Sequence, residues 1–412
     1  MSEPAINHVY DRTDPRGDFP SLPGPGVLEH NRLAVFWRPL LDLHPSPYAP
    51  MRLQALSYVN SWLADPESTD WAWFSRHSVA GLRNQVVRHT GLAQYACKDP
   101  RDLPEDLRTS QWQVLAEALD NFADLPPLRR RMVVFHLVQL SFYNVAVALT
   151  AADQPDGTAE TDLYLYEVAR AHTGSPAYGA RAADLFEYLA TTSADPTLAL
   201  AAAGQGVSHA IRRDRDLDIA RKFESYAATA DGEVGWLHAL ARSRFHRAVA
   251  LLRLRERDFR GMSAEIKLSV EFGEQLLAAE PTGADRYVAV ENQRIILESQ
   301  IKAAGRAPID VRAEQVRLRC DQLLAIDPYC IQARLVVADG YSAAGMFAEA
   351  AHWYERAGEL GTGAGAMAWY RAGQCHDLLG RPADAANAMG RCLELDTTAV
   401  QPREYLERLE RG

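Results

Sequence analysis

The sequence predicts an all-α chain: an α-solenoid of helical hairpins with an N-terminal helical domain in front of it. Three observations predict this. No run shows sustained alternation of period two joined by turn pairs such as Asn-Gly. From about residue 48 onward the apolar residues fall at helical spacing. Near the C-terminus one side-chain pattern recurs at a fixed offset: Ala350, Tyr354 and Ala357, at i, i+4 and i+7, return 35 residues later as Ala385, Met389 and Cys392, and 34 residues earlier as Val316, Cys320 and Leu323.

In chain order, residues 11–26 (DRTDPRGDFPSLPGPG) are too rich in Pro, Gly and Asp for a regular element. They belong to an arm spanning 1–47, in which Arg16-Gly17-Asp18 is a chance tripeptide. Helix starts are marked by a capping residue before proline at Asp65-Pro66, Ser175-Pro176 and Asp195-Pro196, and stops by Gly174, Gly232, Gly305 and Gly380. Between these marks the spacing predicts helices near 49–63, 70–95, 110–124, 128–150, 160–172, 176–192, 196–212, 215–230, 234–256, 259–279 and 286–304. The resulting division is an N-terminal helical domain over 48–150, degenerate helical repeats over 151–296, clear repeats over 297–399 and a C-terminal capping helix over 400–412.

In the clear repeats the first helices carry Ala338, Gly340 and Tyr341, then Trp369, Gly373 and His376, and Asp327-Pro328 closes the earliest unit. This alternation of small and large positions in a 34- to 35-residue helix-turn-helix unit resembles the tetratricopeptide repeat. His376 stands where that pattern has an aromatic residue, and Thr362 and Thr397 replace its closing proline. The resemblance implies a stack whose first helices line a concave surface that holds a protein or peptide segment. It supplies no reaction. The concentrated Lys and Asn array with which such repeats clamp a terminal carboxylate is missing, so that function is not implied.

At 412 residues the chain exceeds the about 250–300 residues of a single core, as a repeat stack can, because it adds core one unit at a time. Of 44 Lys plus Arg only four are Lys (Lys98, Lys222, Lys267, Lys302), the codon bias of a GC-rich bacterial genome, which lowers the weight of any single Arg cluster. A net charge of −10 argues against a general nucleic-acid binder. Five cysteines without CxxC or metal-ligand spacing read as free thiols, and the start has no basic region followed by an apolar run; a cytoplasmic protein is expected, with no membrane partner, no cofactor and no metal. A homo-oligomer remains compatible with all of this.

Two regions carry chemistry-bearing side chains. In the first, His136, Gln139 and Tyr143 share a face of an almost wholly apolar helix, and Trp73 and His77 make a similar stripe upstream. They would line a polar pocket of an enzyme or small-ligand-binding protein; for the first set a satisfied buried hydrogen-bond network is the better account, and a helix interface suits the second set equally well. In the second, Arg242, His246 and Arg247 lie on the arginine-rich segment 236–257, and Tyr287, Asn292 and Arg294 on the next first helix, with Asp339, Tyr370, Arg371 and Gln374 on first helices of the clear repeats. His238 and His246 stand about 12 Å apart along a helix, too far to share a metal. Arginine forks suit carboxylates, so this second set predicts a groove for a protein or peptide partner bearing acidic groups, although for segment 236–257 a solvated face with salt bridges to Glu256, Asp258 or the next helix is the better account. Gly361, Gly363 and Gly365 read as an inter-repeat turn, since a phosphate-cradling fingerprint follows a strand. With no catalytic motif in the chain, the scaffold reading leads and the N-terminal pocket is its alternative.

Overall fold

The computed structural model describes residues 99–102, 110–139, 142–174, 179–227, 235–280, 283–305, 309–326, 331–359 and 365–411. The expected arm, the helices near 49–63 and 70–95, Trp73 and His77 lie outside these. Among the described residues there are 16 α-helices and no strand. They are α1 Ser110–Asp120, α2 Pro127–Gln139, α3 Tyr143–Leu149, α4 Ala159–Gly174, α5 Gly179–Thr192, α6 Pro196–His209, α7 Leu217–Tyr226 and α8 Trp236–Arg255. Then follow α9 Phe259–Ala278, α10 Gly283–Ala304, α11 Ile309–Ile326, α12 Ile331–Ala343, α13 Phe347–Gly358, α14 Gly365–Leu378, α15 Pro382–Leu395 and α16 Val400–Arg411.

From α8 onward each helix packs against its successor, and α6, α8, α10 and α12 also pack side by side as first helices of successive hairpins. This is a solenoid: every pair covers the apolar stripe its neighbour leaves open. Among the described residues the core runs in two long stretches, one from Leu115 to Val290 and one from Leu297 to Ala388, the change falling inside α10, with a small third cluster of Ala250, Met262 and Ile266. Ala350, Tyr354 and Ala357 are buried together, as are Val316, Cys320 and Leu323 and, one unit on, Ala385, Met389 and Cys392.

Local chemistry sets the ends of these helices. The Asp195 carboxylate accepts the Thr197 N–H at 2.8 Å and Pro196 opens α6, while Asp216 and Asp258 cap α7 and α9 in the same way. Gly345 and Gly380, 35 residues apart, follow α12 and α14 with φ of 76° and 69°, the left-handed turn that lets the second helix of each unit fold back.

The structure corrects three of the expected helices. The segment 128–150 is not continuous: at Phe142 (φ −90°, ψ 47°) the backbone leaves helical geometry, and its N–H reaches back five residues to the Leu137 carbonyl at 2.7 Å. The segment 110–124 closes as a 3-10 turn over Phe122–Asp124. The segment 196–212 ends as a π-helical turn over Ala210–Asp214, terminated by Arg215 in the left-handed region at φ 55°. Wider i→i−5 hydrogen bonding swings the end of this element by one residue, which side-chain periodicity does not register.

Candidate functional site

The arginine-rich helix α8 distributes its charges over two faces, because residues five apart on a helix are rotated by about 140°. Arg242 and His246 turn toward α9. The Arg242 Nε donates to His238 Nε2 at 3.0 Å, so the His238 proton sits on Nδ1, 3.2 Å from the Thr197 hydroxyl. The Arg242 guanidinium also lies over the Phe272 ring at 5.5 Å. His246 pairs with Glu265 at 2.8 Å and stacks on Phe272, with the two rings 3° from parallel. These side chains fasten one helix to the next.

Arg244 and Arg247 face the other way, into a cleft of about 540 Å³ between the first helices α6, α8 and α10. Its apolar walls come from Leu200, Leu240, Phe245, Met262 and Ile266, and its charged groups are Arg212, Arg244, Arg247, Arg294, Lys302 and Glu298. Arg212 arrives there from the π-helical turn. Asn292 sits behind Arg247: its carbonyl accepts from Arg247 Nη1 at 3.4 Å, and its Nδ2 donates to Ser243 Oγ at 2.9 Å. Ser243 is itself tied to Ser269 by reciprocal hydroxyl-to-carbonyl bonds of 2.9 and 2.7 Å. Burial first, and the charge of Arg212 next, hold the Arg247 guanidinium down to about 10.

Arg294 differs from its neighbours. It is buried and gripped along its own helix, donating to both oxygens of Glu291 at 2.9 and 3.0 Å and to Glu298. Counting Arg212, Arg244, Arg247, Arg294 and Lys302 against Glu291 and Glu298 leaves a formal excess of three positive charges around the cleft, in a chain whose net charge is −10.

A second cleft, of about 560 Å³, opens further along the same series of first helices, over α12, α14 and α16. Tyr370, Arg371 and Gln374 line it together with Tyr354, Asp377, Tyr405 and Arg408. Asp339 accepts from both the Tyr354 hydroxyl and Arg371, whose guanidinium lies 5.9 Å above the Tyr354 ring. Tyr370 accepts from Gln374 at 3.0 Å, and Tyr405 donates to Asp377 at 2.9 Å. Burial and the Asp339 carboxylate raise the Tyr354 hydroxyl well above the usual phenol range.

The residues singled out from the sequence therefore fall into separate places. Arg247 and Arg294 line the first cleft, Asn292 supports it, Tyr370, Arg371 and Gln374 line the second, and Arg242 and His246 lie between helices. The side chains of Tyr287, His136 and Gln139 lie outside the described residues. Tyr143 is half-buried with its ring against Gly174, and burial raises its hydroxyl pKa. Arg212 and Lys302 join the cleft without a signal in the sequence, whereas Glu298 follows from the Glu291–Arg294–Glu298 spacing along one helix. No group of His, Cys, Asp and Glu among the described residues could hold a metal, and no described helix is long and apolar enough to cross a membrane. The described cysteines Cys320, Cys375 and Cys392 are free and buried.

No family model matches the chain, and no curated protein matches it. It is similar to a solved structure described as the crystal structure of the APC/C hetero-tetramer Cut9-Hcn1, at 12% identity over 90% of each chain, with a TM-score of 0.21.

Proposed function

We propose that this protein is a helical-repeat scaffold, built from units that resemble tetratricopeptide repeats, which holds an acidic segment of a protein partner in the cleft between α6, α8 and α10. The observation that carries this reading is the convergence of Arg212, Arg244, Arg247 and Lys302 from three elements onto one cleft, with positive charge in excess. Adjacent first helices of a solenoid build an extended concave surface, and guanidinium forks hold carboxylates in bidentate geometry. The apolar walls supply burial for the side chains between the acidic residues. The reading extends to a cytoplasmic bacterial protein, with the proposed divisions at 48, 151, 297 and 400.

Fluorescence anisotropy of a labelled ten-residue glutamate-rich peptide, titrated with the full chain, tests it. Binding should weaken as salt rises and should be lost in the Arg212→Glu, Arg247→Glu double variant with its helical circular dichroism intact. Binding that survives the double reversal would refute the assignment of the cleft.

A further inference from the structure

Two guanidiniums in the first cleft, those of Arg212 and Arg247, have no carboxylate partner among the described residues. Arg294 is satisfied by Glu291 and Glu298, and Arg253 on the far end of α8 by Glu224 and Glu256 at their own positions. Arg247 is different: among the described residues its hydrogen-bond partner is the neutral Asn292 amide oxygen, and the contact is a long 3.4 Å. Arg212 lines the same cleft, and its charge, with that of Arg294, adds to burial in opposing the charge on Arg247, while Glu298 and Glu291 act through space in its favour without bonding it. Two like charges beside a partly dehydrated cleft repel, and the repulsion is relieved when an anion enters between them.

We propose, building on the scaffold reading above, that the part of the cleft between Arg212 and Arg247 takes a phosphate monoester dianion. A phosphate monoester carries about −1.5 to −2 charges and three acceptor oxygens. It neutralises both guanidiniums at once, whereas one carboxylate leaves half of the positive charge uncompensated. The arrangement is fixed in advance from behind, because Asn292 is anchored to Ser243 and Ser243 to Ser269, so Arg247 is oriented before anything binds. Asn292 occupies one of the five guanidinium donors of Arg247 and leaves the others for oxygens in the cleft. The cleft volume of about 540 Å³ exceeds what an inorganic ion needs and fits a phosphorylated residue with its neighbours or a small phosphorylated molecule.

Isothermal titration calorimetry at fixed ionic strength, on the full chain, separates these chemistries. The probes are a ten-residue peptide with one central phosphoserine, the same peptide with glutamate there, free O-phosphoserine, and a ten-nucleotide single strand. The phosphopeptide should bind about tenfold tighter than its glutamate counterpart, and Arg247→Gln or Arg212→Gln should each remove most of that preference. Arg212 is exposed, so its replacement leaves the fold intact; Arg391→Gln, on the exposed outer face, serves as the unaffected control. Free O-phosphoserine binding as tightly as the phosphopeptide also supports the site and assigns it to a small phosphorylated molecule. Equal, Arg247-dependent binding of the phosphopeptide and the glutamate peptide overturns the phosphate assignment and leaves the acidic-partner reading standing. No Arg247-dependent binding of either peptide overturns both. Tightest binding by the oligonucleotide overturns the monoester in favour of phosphodiesters.

Discussion

Two glycines in the repeats predict stability changes of opposite sign from the same substitution. Gly340 lies on α12 where that helix crosses α10 and α11: a Cβ built there meets Ile301 Cγ2 at 2.4 Å, Val316 Cγ1 at 3.6 Å and Cys320 Sγ at 3.8 Å. Carbon atoms prefer about 3.5–4.0 Å, so in Gly340→Ala the Ile301 methyl must retreat by about 1 Å. It has little room, because Ile301 is fully buried and branched at Cβ, which restricts its rotamers. Overpacking of this kind costs about 1–3 kcal/mol, while Ala in place of a helical Gly returns about 0.8–1.0 kcal/mol. The net expectation is a loss of between about 0 and 2 kcal/mol. Gly390, in α15, has nothing within 4 Å of its built Cβ, so Gly390→Ala receives the helical gain alone, about 0.5–1 kcal/mol of stabilisation. Urea denaturation followed by helical circular dichroism reads both. A Gly340→Ala variant more stable than the parent, or a Gly390→Ala variant that is weaker, would refute the packing described for α10, α12 and α15.

Other perturbations follow from the contacts. Removing the α6 cap with Asp195→Ala should cost about 1 kcal/mol in the same denaturation assay, and Asp195→Asn much less, because the amide oxygen still accepts the Thr197 N–H. Arg294→Met strips the partner from Glu291 and Glu298, both largely shielded from water, and should cost about 3–5 kcal/mol; a change below 1 kcal/mol would mean that the triad is hydrated. Burial pushes the Cys375 thiol up to about 11 and the Cys320 thiol up to about 12, from an ordinary value of 9.0. The unfolded chain therefore releases these protons first, so stability should be level below pH 8, fall as pH rises past 9, and fall less steeply in Cys320→Ala measured against its own neutral-pH value. A thiol reagent at pH 8 should leave these cysteines unlabelled until denaturant is added.

The architecture was legible because its causes are local. Asp195-Pro196 specifies a helix start through a hydrogen bond made within three residues. The Ala350, Tyr354 and Ala357 spacing specifies a buried face through the helical period alone. The breaks at Phe142 and at Ala210–Asp214 left no such mark, since a change from i→i−4 to wider bonding alters the backbone while the apolar pattern runs on across it. The site was less legible for a different reason. Arg242 and Arg247 read as one cluster along the sequence, yet 140° of helical rotation sends one toward Phe272 and the other into the cleft. Arg212 and Lys302 join Arg247 only through the side-by-side packing of α6, α8 and α10, a long-range relation that no short motif encodes.

The account rests on one claim, that the cleft over α6, α8 and α10 is where the partner lies. Hydrogen exchange of the full chain with and without the glutamate-rich peptide tests it most directly, because it reports the place of binding as well as its occurrence. The expected result is added protection at the end of α6 and its π-helical turn, along α8 and over the second half of α10, absent in the Arg212→Glu, Arg247→Glu variant. Protection confined to α14 and α16, or to α2 through α4, would place the partner at the second cleft or at the N-terminal helices and contradict the claim.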